Sequence, residues 1–278
     1  MKKVLSLLLA LTLALSLAAC GTSNTPAASG NDAEPITLVV FAAASMTETL
    51  TEIAGNYKAV APNVTLRFNF DSSDKLLTQI EEGALCDLFI SAAPKQMNAL
   101  DGSLKDDAEK NPNGQDMLLE GSRLNLLENK VTLAVPQGNP KGIESFDQLA
   151  ELLKNGEVML AIGNSDVPVG QYTQKIFAYY SIDEAAITDK LTYGNNVKEV
   201  TTQVTEAAAD CGIIYATDAF SAGLTTVDSA TAEMCGQVIY PAAVLKDGQT
   251  EAAQAFLDYL RTEEAMAVFQ SVGFSPAN

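Results

Sequence analysis

From Ile36 onward the chain alternates two hydrophobic patterns, and that alternation limits its fold more than any other feature. Ile36 to Phe41 is a short apolar run with the length of a buried strand, and Met46 to Val60 then follows a helical period. Val64 to Phe70 alternates as a strand, Asp74 to Glu82 is helical, Asp87 to Ser91 is a short strand and Pro94 opens a helix to Leu100. The segment from Asp101 to Gln115 is polar and without period, a surface excursion. A second series begins at Lys130 to Pro136 as a strand, then Ser145 to Leu153 (helix), Val158 to Ile162 (strand) and Gln171 to Tyr180 (helix). It continues with a helix over Val197 to Ala208 and strands at Gly212 to Tyr215 and Gln237 to Leu245. Helices over Gln249 to Leu260 and Glu263 to Phe269 close the chain. Strands followed by helices predict parallel sheets with helices on both faces.

Two such series predict an α/β, two-lobed fold in which each lobe is a mostly parallel sheet flanked by helices. The connecting strands fall near Leu126 to Val131 and Ile239 to Ala243. Lobe 1 is then 36–126 with a return segment 241–278, and lobe 2 is 127–240. A ligand belongs between them, where the carboxyl ends of strands meet helix starts.

The first residues set an address. Lys2 and Lys3 precede an apolar stretch from Val4 to Leu17, too short and wrongly flanked for a membrane span, so 1–19 reads as a signal peptide. Leu17, Ala18 and Ala19 before Cys20 resemble a bacterial lipoprotein box, which implies cleavage before Cys20 and lipid on it. Acyl chains at about 0.8 kcal/mol per buried CH2 would anchor the protein to the cell membrane from outside. Residues 20–35 are small and polar, a tether that cannot bury enough surface to fold.

Composition excludes several classes. The chain has 17 basic and 35 acidic side chains, a formal net charge of −18, and two of the bases lie in the leader. Nucleic acid is not expected as a partner. Long-range repulsion of anions means that any anion site must rely on strong local donors. With no histidine, the usual general base near neutral pH is missing, and so is the commonest transition-metal ligand. No cofactor is expected. Cys86, Cys211 and Cys235 lack CxxC spacing, which argues against zinc. A disulfide between Cys211 and Cys235 stands beside buried free thiols as a reading of these residues.

The chemistry lies in the residues just after each strand. Ser45, with Glu48 three residues on, fits a capping box at a helix start. Ser72 and Ser73 precede the next helix. Pro168, Val169 and Gly170 precede a third, and Gly194 to Asn196 a fourth. Each helix N-terminus offers unpaired N–H donors and about half a positive charge. Several together can hold a dianion without Lys or Arg. A donor-only set also discriminates, because a protonated oxyanion leaves its proton without an acceptor. Any one capping serine is ordinary; the case rests on their convergence.

The segments VFAAASMT (40–47), FDSSDKL (70–76), GALCDLFISA (83–92), VPVGQY (167–172), NVK (196–198) and GIIYATD (212–218) together resemble the molybdate-binding protein (ModA) family of ABC importers, in order over almost the whole folded chain. The resemblance implies a periplasmic-binding-protein fold of type II and a small tetrahedral oxyanion, molybdate or tungstate, held by neutral hydrogen bonds. By motif the donors fall on the hydroxyl and amide of Ser45, on Ser73 with Ser72 as a one-residue alternative, on the amides of Val169 and Val197, and on the Tyr215 hydroxyl. It also implies hinge closure, a permease with its ATPase as partners, and a monomer. Asp71 and Asp74 depart from the pattern and are expected to turn outward; an inward Asp71 would accept a proton and favour hydrogen phosphate. The rival readings are the same fold binding phosphate, sulfate or an organic anion, a hydrolase or dehydratase on this scaffold, and a sensing lipoprotein without a transporter. The enzyme reading lacks both a histidine and a Gly-x-Ser-x-Gly elbow.

Overall fold

The computed structural model describes residues 34–277, so the signal peptide, Cys20 and nearly all of the tether lie outside the described residues. The first series runs β1 (Ile36–Ala43), a 3-10 turn (Ala44–Met46), α1 (Thr47–Val60), β2 (Val64–Asp71), α2 (Ser73–Glu81), β3 (Leu88–Ile90) and α3 (Pro94–Asn98). After the polar excursion come β4 (Leu124–Asn129), β5 (Val131–Val135), α4 (Phe146–Lys154), β6 (Leu160–Gly163), α5 (Pro168–Tyr179), β7 (Leu191–Gly194) and α6 (Val197–Thr205). β8 (Cys211–Tyr215), α7 (Ala216–Ser221), β9 (Thr225–Ser229), α8 (Ala232–Cys235), β10 (Val238–Val244), α9 (Thr250–Tyr259), α10 (Glu263–Ser271) and β11 (Ser275–Pro276) complete it.

Two sheets result, ordered β11-β4-β10-β3-β1-β2 and β7-β6-β8-β5-β9. The expected mostly parallel sheets are in fact mixed. β1 pairs in parallel with β2 and β3, and β6 with β7 and β8, whereas β10, β4, β5, β9 and β11 pair antiparallel. The cause is connectivity: β4 runs straight into β5 through Lys130, so the chain changes sheet without a helical crossover. It returns between β9 and β10. The predicted connecting strands near Leu126 to Val131 thus resolve into two strands of different sheets, and cuts at 126/127 and 240/241 fall inside β4 and β10.

Strand alternation builds the core. In β1, Leu38, Val40 and Ala42 join the main cluster, whereas Phe41 faces Leu76, Ile80 and Met97 on the other side. β3 does the same, with Leu88 and Ile90 on one face and Phe89 on the other. Cys86, Cys211 and Cys235 are all free and buried, so Cys211 and Cys235 do not pair. Burial pushes the Cys86 and Cys211 thiols up to about 12.

Asp87, 1 % exposed, ties three elements together. Its Oδ2 accepts the Val39 N–H of β1 at 2.7 Å and its Oδ1 accepts the Gln249 N–H just before α9 at 2.7 Å. Asp87→Ala would strand two backbone donors. A loss of about 2–4 kcal/mol is expected in urea unfolding, and an unchanged midpoint would show that the staple is idle.

Candidate functional site

The register explains why four helix starts meet. β1 and β2 pair in parallel through Ala43 and Asp71, so the 3-10 turn carrying Ser45 and the start of α2 emerge side by side. β6 and β7 pair through Gly163 and Gly194, which places the starts of α5 and α6 together likewise. The loop into α5 is very tight: a Cβ on Gly170 would lie 1.8 Å from the Asn164 carbonyl oxygen, and one on Gly194 would lie 2.7 Å from Val200 Cγ2. Only glycine allows these approaches.

These ends enclose one small hollow of about 20 Å3. Ser45, Ser72, Ser73, Val169, Val197 and Tyr215 all line it, with Asp71, Ala92 and Val167. The structure therefore brings together every residue that the sequence proposed for the ligand. The lining contains no Lys or Arg. Val169 is the second residue of α5 and Val197 the first of α6, positions whose N–H groups have no acceptor within the helix. α5 begins three residues earlier than the sequence suggested because Pro168 suits the first helical turn.

Individual hydroxyls behave differently from their sequence reading. Ser45 forms no capping box: the turn has no side-chain cap, and Ser45 Oγ lies 2.8 Å from Tyr240 Oη. Glu48 instead reaches Lys198 Nζ of α6 at 2.7 and 2.8 Å. Ser73 Oγ accepts the Ala92 N–H at 3.0 Å, which leaves its proton free. Ser72 Oγ and Tyr215 Oη are buried with no hydrogen-bond partner among the described residues. The Tyr215 ring packs as a core aromatic, 6.3 Å from Tyr172 and 5.8 Å from Tyr240 between centroids. Burial holds the Tyr215 and Tyr240 phenols well above their usual range, so both keep their protons.

Asp71 does not turn outward. It lines the hollow, and its Oδ1 accepts from the Ser72 N–H at 2.8 Å and from Asn196 Nδ2 at 3.2 Å, with Lys75 Nζ at 3.5 Å. The Asn196 bond links the first series to the second. Asp74, in the first turn of α2, stays out of the lining.

Beside the hollow lies an ion cluster that the sequence reading missed. Lys198 Nζ stands between Glu48 and Asp218 Oδ1, the latter at 3.2 Å. Asp218 is fully buried, and that burial pushes its carboxyl up to about 6 against the pull of Lys198. Burial works to lower Lys198, but Asp218 and Glu48 outweigh it and hold the ammonium above its usual value. Asp218 sits inside the 212–218 motif, so the signal was present without a partner to interpret it. Tyr240 and Asn129 were hidden differently, because both read as ordinary strand residues.

Two mixed sheets whose strand ends enclose one donor-lined hollow define a two-lobed ligand receptor of the periplasmic type II class. The chain belongs to the bacterial extracellular solute-binding protein family, whose sequence profile matches residues 38–275. It is 33 % identical over 282 residues to YvgL of Bacillus subtilis (strain 168), named as a substrate-binding lipoprotein of an ABC transporter, covering 99 % of this chain and 98 % of that one. The molybdate-binding protein ModA of Haemophilus influenzae is 32 % identical over 244 residues, 86 % of this chain and 89 % of its own. The solved periplasmic molybdate-binding protein of Azotobacter vinelandii superposes with a TM-score of 0.71 at 21 % identity, covering 87 % of this chain and all of that one, a likeness of fold. The chain is thus a solute-binding component of an ABC transporter and not an enzyme.

The raised Asp218 carboxyl sets a sign for pH dependence. Its folded value, about 6, lies above the ordinary 3.8, so the folded state binds the proton more tightly than the unfolded one. The contribution is present below pH 4 and is lost as pH rises towards 6. Asp218→Asn should remove that downward slope, and the difference between wild-type and variant melting temperatures across pH 4–7 checks it.

Proposed function

We propose that the protein captures molybdate or tungstate outside the cytoplasm and delivers it to a membrane permease driven by an ATPase. One observation carries this reading: the partnerless Tyr215 hydroxyl shares a cation-free hollow with the hydroxyls of Ser45, Ser72 and Ser73 and the free amides of Val169 and Val197. Aligned N–H and O–H dipoles offer a doubly negative guest what a bulk acidic protein cannot. The hollow suits a compact ion. Its donors come from both sheets, so closure of one lobe on the other completes the site and expels water. The metal arrives as an oxyanion and never meets a protein ligand directly. Anchoring through lipid on Cys20 would keep the loaded receptor beside its permease.

Asp71 favours a second reading. Its three polar contacts all fall on Oδ1, and a carboxylate on the lining can accept the proton of hydrogen phosphate. Calorimetry on the soluble chain without residues 1–20 separates the two. Molybdate and tungstate should bind, with sulfate and phosphate far weaker; binding of phosphate alone transfers the assignment to Asp71. Tyr215→Phe should weaken molybdate by about 1–3 kcal/mol through one lost charge-assisted bond, and an unaltered affinity removes Tyr215 from the site.

A further inference from the structure

We infer that Asn129 and Tyr240, neither of which lines the hollow, fix the direction of the Ser45 hydrogen bond so that the Ser45 proton is aimed at a ligand. The inference rests on the oxyanion reading and assigns its selectivity to a relay behind the site. Asn129 is 3 % exposed, on the last position of β4, and its amide orientation is set locally. The Lys130 N–H, which can only donate, lies 2.8 Å from Oδ1. The other end is therefore the NH2 group, with Nδ2 3.0 Å from Thr217 Oγ1 and 3.2 Å from Tyr240 Oη. Turning the amide round would set two donors against each other at Lys130.

Counting protons along the relay gives its direction. Tyr240 Oη receives a hydrogen from Asn129, and the relay assigns its own proton to Ser45 Oγ, 2.8 Å away. Ser45 Oγ is then an acceptor from behind, and its single proton is left to face the hollow that it lines. Ser73 reaches the same state by a shorter route, because the Ala92 N–H occupies its Oγ. Both serines thus aim a hydrogen at the hollow. A proton-free oxyanion is matched by these aimed hydrogens. Tyr240 is a positioning residue, since it acts on the ligand through Ser45.

A double-mutant cycle on the soluble chain, read by calorimetry with sodium molybdate, tests this. Tyr240→Phe keeps the ring, whose centroid lies 5.2 Å from that of Phe274, and removes only the hydroxyl. It should weaken molybdate about three- to tenfold in the wild-type background and change nothing further in a Ser45→Ala background. Asn129→Asp, which replaces the donor with an acceptor and draws the Tyr240 proton away from Ser45, should cost at least as much while Tyr240 and Ser45 remain. Melting curves confirm that each variant is folded. An equal Tyr240→Phe penalty with and without the Ser45 hydroxyl overturns the relay and leaves the oxyanion reading intact. No molybdate binding by the wild-type chain sinks the oxyanion reading and the relay with it.

Discussion

A helix start exposes amide hydrogens that no turn of the same helix can accept, and folded chains must give them a partner or leave them to solvent. In this protein several of those helix starts line one hollow. Parallel pairing of β1 with β2 and of β6 with β7 aims the following helix starts at one point, and Gly170 and Gly194 let the loops approach closely enough to do so. The surrounding strands and the two-faced packing of the first sheet hold those ends in register. The fold thereby concentrates hydrogen-bond donors around one hollow.

Charge is arranged on two scales. The surface is strongly acidic, which repels anions in general, while the hollow itself carries no basic side chain. Close to it, Lys198 is held between Glu48 and the buried Asp218, so its charge is spent on bridging helices of the two series. Attraction at the site is therefore dipolar and short in range. Such attraction depends on fit, which a lysine on a flexible stem would not require. The exposed arm of the cluster, Glu48, is screened by salt, whereas Asp218 is not.

Much of this was legible in the residues. Strand and helix alternation located most elements around the site to within a few positions, because apolar periodicity and Pro, Gly and Ser punctuation act locally, but it missed β7 and α7. Ser45, Ser73, Val169 and Val197, with Ser72 as the alternative to Ser73, lie together because each follows a strand paired in parallel, and Tyr215 joins them from the end of β8, which pairs in parallel with β6. What failed was long-range. Ser45 reads as a cap because Glu48 stands three residues on, yet Lys198, far along the chain, claims Glu48, and Tyr240 claims the serine. Asp71 faces the hollow because Asn196 and Lys75 hold it there, partners that local spacing does not reveal. The antiparallel half of each sheet also escaped, because the passage of β4 into β5 turns on a single residue.

The three thiols bear on how such a chain survives after leaving the cell interior. Cys86, Cys211 and Cys235 are buried, and burial first, with Asp87 beside Cys86 and Asp210 beside Cys211, holds the first two thiols well above their usual range. Oxidants act on the thiolate, so sulfur held as the thiol is slow to become sulfenic acid or to link with a neighbour. In the folded receptor these thiols are therefore poor partners for cross-linking. Its vulnerable moment is the interval before the core closes.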